Sequence, residues 1–240
     1  WLLANEFKNA AKPHKAIALL EQAISNQPDD SKSSATLYQL LYESHLASND
    51  SIRALTAIEN VLRIDPKNPT GAIEHASTLY RLGRFEEARK AALRARSLPV
   101  KDSRILAVIA LKLGQILLHE QKFAEALVEL RISIEQDPAD LEALQSLAGA
   151  LRRTGEEEEA RSILQLYRQI RSAKDSLEKN QASYRVQPNN RTAQEKIIRA
   201  LITLGRFGQA ERQLELRQRK FPDDPRQQGL IRLLTEARTQ

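Results

Sequence analysis

Enzyme chemistry in a chain like this would have to come from its histidines, its carboxylate pairs or a glycine-rich loop, and each can be weighed by spacing alone. Four histidines stand at His14, His45, His75 and His119. None forms a His-x3-His pair or a His-Glu-x-x-His motif, so no spacing sets two imidazoles on one helical face for a metal. Glu74-His75 and His119-Glu120 are mere neighbours. Cysteine is absent, which excludes disulfides, thiolate nucleophiles and Cys-ligated zinc without fixing a compartment. Acidic runs such as Glu86-Glu87 and Glu156 to Glu159 could supply acid and base, yet they open helical patterns, where carboxylates favour the helix dipole. Gly205-Arg206-Phe207-Gly208 lacks the third glycine and the preceding strand of a dinucleotide fingerprint, and no Gly-x4-Gly-Lys-[Ser/Thr] loop occurs. No catalytic residue, cofactor or metal ligand is assigned, and the chain is expected not to be an enzyme.

The elements that carry these residues read as helices. Hydrophobic residues make up 41% and charged residues 28%, with 8 Gly and 9 Pro among 240 residues. That is too apolar for disorder and too poor in turn formers for an all-β chain. The longest apolar stretch, Ile105 to Leu118, is broken by Lys112, well short of the roughly 18 to 20 residues that span a bilayer, so a soluble chain is expected. Trp1-Leu2-Leu3-Ala4 reads as the inside of a helix whose beginning is missing, as in a fragment of a longer protein. The net charge is +6, and its distribution is uneven: 18 basic against 19 acidic residues up to position 150, then 19 against 12.

One short pattern recurs: a turn, then a position favouring an aromatic, then a small residue. It appears as Gly83-Arg84-Phe85-Glu86-Glu87-Ala88, Gln121 to Ala126, Gly155 to Ala160, Gly205 to Ala210 and, with a divergent turn, Asn49 to Ala54. With Ala16, the closing alanines are spaced by 38, 34, 38, 34 and 50 residues. Prolines follow about twelve residues later at Pro28, Pro66, Pro138 and Pro222, with Pro99 one place early, and end the second helices. Apolar residues recur at three- and four-residue steps between these landmarks, as in Leu113 and Leu117 or Phe123, Ala126 and Leu130, so each repeat is a helical hairpin. The small residue lets two helices approach, and the aromatic fills the space near the turn.

On these alanines, turns and prolines, with small residues at Ala76, Gly114 and Ala148, the chain resembles the tetratricopeptide repeat family over about residues 4 to 224. The resemblance implies an all-α, right-handed α-solenoid of five to six stacked hairpins, the first truncated. The expected divisions are 1–30, 31–68, 69–102, 103–140, 141–174 with an extended second helix, a helical insertion at 175–190, 191–224, and a capping helix at 225–240. Between Gly155 and Pro188 no turn signal interrupts the sequence, which predicts one long helix or two nearly collinear ones. Asp224-Pro225 supplies an N-cap and a first-turn proline for the final helix.

The function implied by the resemblance is a protein-binding scaffold, with a partner peptide or helix held against the first helices of the hairpins. The expected lining is Gln39, Glu43, Ile73, Ser77, Tyr80, Leu111, Gln115, Gln145 and Arg152. Arg81, His119 and Arg153 occupy one equivalent slot and form a basic row along one edge, which is read either as capping of helix C-termini or as a selector of an acidic partner segment. The slots at which chaperone-tail clamps carry Lys and Asn hold Gln39, Glu43, Glu74, Val108 and Lys112; only Lys112 is of the right kind, and Glu43 and Glu74 would repel a carboxylate terminus, so that subtype is not expected. The asparagine ladder of glycosyltransferase-type arrays is missing too, its slots holding Leu40, Glu74, Lys112, Ser146 and Lys196. The alternative is an RNA-binding helical repeat using the basic C-terminal third. Aromatic residues make up only 5% of the chain, few for base stacking.

Overall fold

A computed structural model describes residues 13–26 and 32–239. Trp1 to Ala4 and Pro28, used above for the truncated first repeat, lie outside the described residues. Among the described residues there are twelve helices and no strand. They are α1 Pro13–Ser25, α2 Lys32–Ala47, α3 Ser51–Ile64, α4 Pro69–Arg81, α5 Phe85–Arg96, α6 Ser103–His119, α7 Phe123–Gln136, α8 Leu141–Thr154, α9 Glu157–Val186, α10 Arg191–Thr203, α11 Phe207–Lys220 and α12 Arg226–Arg238. The chain divides into two compact units, Trp1–Gln136 and Asp137–Gln240. In the first, α1 packs on α2, and the hairpins α2/α3, α4/α5 and α6/α7 follow, with α4 also touching α6. In the second, α9 packs on both α8 and α10, α10 packs on α11, and α12 rests on α10 and α11.

The same turn is built five times. Asn49, Gly83, Gln121, Gly155 and Gly205 all have positive φ, between 59° and 85°. Each lies five residues before a repeat alanine. The next residue donates its N–H back across the helix end, Asp50 to His45, Arg84 to Leu79, Lys122 to Leu117, Glu156 to Leu151 and Arg206 to Leu201, at 2.8 to 2.9 Å. This is the Schellman arrangement, in which a left-handed residue closes the helix and satisfies its last carbonyls. Glycine takes that conformation without a Cβ clash, while Asn49 and Gln121 adopt it with one.

The alanines that follow the turns, Ala54, Ala88, Ala126, Ala160 and Ala210, have no exposed surface, and neither does Ala16. They sit where two helices touch, so a larger side chain would force them apart. The approach is closest at Gly114 in α6, where a Cβ would come within 2.7 Å of Leu130 Cγ in α7. Helix starts are set by side-chain caps: Asn68 accepts from the Gly71 N–H, Asp140 from Glu142 and Ala143, and Asn190 from Ala193.

The stretch after Gly155 forms one uninterrupted 30-residue helix, about 45 Å long at 1.5 Å per residue. Its buried residues, Ala160, Ile170, Ala173 and Leu177, continue one apolar stripe into the part beyond an ordinary second helix. The final helix opens as the sequence predicts in chemistry, with a shifted boundary. Asp224 accepts the Arg226 N–H at 3.0 Å, and Pro225 has helical dihedrals just before the assigned first residue.

Candidate functional site

The first helices of the N-terminal unit, α2, α4 and α6, each bury one face in the hairpins and leave a second, polar face half-open. Spacing decides which residue goes where. Ile73 and Leu111, expected to line a groove, are instead buried at 8% and 2% exposure. Ile73 joins Ala72, Ala95 and Ile109 in a core cluster supported by Leu62, Leu98, Val100 and Ile105. The slot fifteen residues before the repeat alanine turns inward there, because an apolar side chain gains more in the α4–α5–α6 core than in water. Gln39, Glu43, Ser77, Tyr80 and Gln115 remain half-buried on the open face.

That face is tied together across helices. Gln39 Nε2 donates to Glu74 Oε2 at 2.8 Å, joining α2 to α4. Beneath the face, in the core, the buried Thr78 hydroxyl lies 3.4 Å from the buried Tyr42 hydroxyl and donates to the Glu74 carbonyl at 2.7 Å. In α6, Lys112 Nζ donates to Gln115 Oε1 at 3.1 Å. Burial pushes the Glu74 carboxyl above its ordinary value, partly offset by the Gln39 bond. Burial likewise raises the Tyr42 phenol. The face offers the amides of Gln39 and Gln115, the hydroxyls of Ser77 and Tyr80, and the Glu74 carboxylate.

An aromatic trio closes one end. Phe85, the first residue of α5, stacks on His119 with ring centroids 3.6 Å apart, and Tyr80 meets both rings edge-on at 5.4 and 5.9 Å. His119 and Arg81, the last residues of α6 and α4, are both exposed. The trio was not foreseen, although the Phe of the turn motif and a Tyr three residues before the turn were both visible in the sequence. His45 and His75 play no part in the open face. His45 is buried with Nδ1 unpartnered, and His75 faces Glu59 of α3 at 3.7 Å. Burial lowers the imidazole pKa of each. Among the described residues no three of His, Asp and Glu converge as metal ligands would.

In the C-terminal unit, Gln145, Arg152 and Arg153 of α8 are exposed. A separate cleft of about 960 Å³ lies between α9 and α10, and another of about 270 Å³ between the end of α9, α10 and α11. The smaller one has Ile197 and Leu201 as apolar lining, with Tyr184, Arg185 and Arg212 beside them. A third polar feature is enclosed. Arg217 of α11 is fully buried, donates to the Arg191 carbonyl at 2.6 Å and pairs with Asp224 at 2.5 Å. It clamps the start of α10 and the loop before α12 to one point.

Comparison with known proteins fits this repeat geometry. The tetratricopeptide repeat profile matches residues 41–100 and 111–176, together just over half of the chain. No curated protein matches the chain in sequence. Among solved structures, that of MamA superposes with a TM-score of 0.62 at 16% identity, over 72% of this chain and 96% of MamA. MamA from Desulfovibrio magneticus RS-1 gives 0.62 at 14% identity, over 72% and 93%. PilF from Pseudomonas aeruginosa gives 0.62 at 18% identity, over 96% of this chain and 94% of PilF. At these identities the likeness is one of fold. No helix among the described residues is long and apolar enough to cross a membrane. The repeated turn, the alanine ladder and the two matched regions make this chain a member of the tetratricopeptide repeat family, an all-α array of helical hairpins of the kind that serves as a protein-interaction scaffold.

Proposed function

We propose that the chain holds an extended peptide or a helix of a protein partner against the open faces of its first helices, with an acidic stretch of that partner meeting the arginines at the helix ends. The observation that carries this is the polar face of α2, α4 and α6, half-open, tied across α2 and α4 by the Gln39–Glu74 bond and supported from the core beneath by the buried Tyr42–Thr78 contact. A face fixed by such bonds loses little side-chain entropy on binding, and its amides and hydroxyls suit the backbone of an extended chain. Gln39, Glu43, Ser77, Tyr80 and Gln115 would meet the partner's backbone and side chains. Arg81 and His119 would add cationic contacts at the ends of α4 and α6, while Gln145, Arg152 and Arg153 of α8 would give the C-terminal unit amide and cationic contacts of its own. Bidentate Arg–carboxylate pairing gives the direction of charge preference.

The test begins with affinity capture using the 240-residue chain as bait, followed by calorimetry on the captured partner. The double variant Arg81→Glu with Arg153→Glu is expected to melt within a few degrees of the parent, since two exposed helix-end cations contribute about 0.3 to 1 kcal/mol each. The partner's affinity is expected to fall by roughly tenfold or more. Unchanged affinity in the folded variant would reduce these arginines to helix capping and remove the acidic segment from the proposal.

A further inference from the structure

The second helices of the N-terminal unit enclose a groove that has no part in the open face. The backbones of α5 and α7 do not approach each other, and both pack on α6. Between them lies a cavity of about 260 Å³ whose floor is Leu113 and Leu117 of α6, both buried. Gln115, on the open face, stands two residues from each, about 200° round the helix, so α6 serves the two sides with different side chains. The rim of the groove carries two large apolar side chains left in water, Leu93 of α5 at 47% exposure and Val128 of α7 at 58%. Single exposed apolar residues are ordinary, but two that flank an apolar cavity make a contiguous patch.

Counting from the repeat alanines shows what is special to this junction. At the junction before it, the slots of Leu93, Leu113 and Val128 hold Glu59, His75 and Lys90, and His75 Nε2 meets Glu59 at 3.7 Å. In the C-terminal unit the floor is kept as Ile197 and Leu201, while the slots of Glu125, Val128 and Glu129 hold Gln209, Arg212 and Gln213. An apolar floor is what the repeat needs for packing; the apolar rim and the two carboxylates are additions to it. Arg89, the cation of this lining, is already committed to Glu86 at 2.8 Å and Glu120 at 3.1 Å. Glu125 is exposed and makes no ion pair among the described residues. Glu129 is largely buried, and its Oε2 accepts no hydrogen bond from a described residue, with Arg96 Nε 3.7 Å away. Burial pushes the Glu129 carboxyl above its ordinary value, partly offset by Arg96.

We propose that the α5/α7 groove docks a helix of a protein partner, which seats a leucine-sized side chain on Leu113 and Leu117 and brings a Lys or Arg one turn away to Glu125 and Glu129, independently of what binds the first helices. Charge complementarity selects a basic partner, opposite in sign to the acidic stretch proposed for the arginines at the first-helix ends. The dimensions select a side chain over an enclosed small molecule, since about 260 Å³ lies below the roughly 300 to 1,000 Å³ of ligand pockets. Leu93 and Val128 extend the apolar contact beyond the cavity, as residues around a buried anchor do in protein interfaces. A trough between two helices also accepts the ridge of a third.

The test measures, by calorimetry on the 240-residue chain, the binding of amphipathic helical peptides with leucines along one stripe and Arg, Gln or Glu one turn from the central leucine. The Arg peptide should bind most tightly, and the Glu peptide roughly tenfold more weakly or worse. The double variant Val128→Ser with Glu125→Lys should lower affinity for the Arg peptide by roughly tenfold or more and erase its advantage over the Glu peptide. Glu129→Gln keeps the side-chain shape and should weaken the Arg peptide while leaving the Gln peptide within about twofold, a difference that a general loss of packing would not produce. Ile52→Ser with Glu178→Lys makes the same kinds of change on exposed residues outside the groove and should leave binding within about twofold. Circular dichroism melting confirms that each variant stays folded. The proposal is overturned if the Arg peptide does not bind or is not preferred, if both double variants weaken it alike, or if sedimentation shows the chain pairing with itself through Val128.

Discussion

Gln121 occupies the slot that glycine fills in three of the five turns, with φ of 59°. A side chain there crowds the following carbonyl, which costs about 1 to 2 kcal/mol in the left-handed region, although Asn49 at the equivalent place is better tolerated. Nothing in the surroundings requires glutamine, since it is exposed and its turn is closed by main-chain bonds. Gln121→Gly is therefore expected to stabilise the chain by about 1 kcal/mol, offset slightly by the greater freedom of glycine when unfolded. Urea denaturation should show a higher midpoint at unchanged slope; a lower midpoint would mean that the side chain contributes a contact outweighing its strain. The same residue shows how legible the turns were. The motif's place was readable at Gln121 and Asn49 from the alanine five residues on, because register is carried by the packed small residue more than by the turn's own letters.

At the scale of elements, α12 is fixed by a pairing that hydropathy could not reveal. Arg217 lies in a helix rich in charged residues, Phe207–Lys220, and reads as one more solvated cation, yet it is fully enclosed. Its partner Asp224 was legible only as an N-cap. The Arg226 N–H first, against the cost of burial, and the Arg217 guanidinium hold the Asp224 carboxyl below the ordinary carboxylate value. Asp224→Asn would keep the cap but leave Arg217 buried without its counter-charge, a loss of about 3 to 5 kcal/mol in comparable buried pairs. Adding Arg217→Met should recover part of that loss, because an apolar side chain of similar length fills the site with no charge to desolvate. A carboxylate with a lowered pKa stabilises the fold above its unfolded value and loses that contribution as pH falls through the folded one. The parent should therefore lose stability on acidification over the range below the ordinary Asp value, and Asp224→Asn should remove that component. Hydrogen exchange of α12, followed against pH, checks both expectations. By the same reasoning the groove positions were only partly legible. Heptad-like spacing could not tell Ile73, drawn into a core of Ile109 and Ala95, from Ser77 four residues on, which stays half-open.

Across the whole molecule the basic surplus beyond residue 150 and the long helix meet in one place, since the α9/α10 cleft concentrates cations that the sequence showed only as a regional excess. The C-terminal unit also depends on α9 for its cooperativity. In a repeat protein each element is stabilised through its neighbours, and the backbones of α8 and α10 do not approach each other. Coupling along the chain from α8 to α10, α11 and α12 runs through the continuous backbone of Glu157–Val186. Ser172 sits in its middle and is exposed, so replacing its side chain costs no packing. A proline there removes one hydrogen bond of the helical ladder and clashes with the carbonyl four residues back, about 3 kcal/mol or more. Ser172→Pro is expected to split the melting of the unit, with residues 191–238 unfolding at a lower temperature than α8 and the first half of α9. Calorimetry should then show an added low-temperature transition, and hydrogen exchange should accelerate in α10 to α12 while α8 keeps its protection. If the variant melts in a single transition at the parent temperature, continuity of α9 is not what couples the last repeat to the rest of its unit.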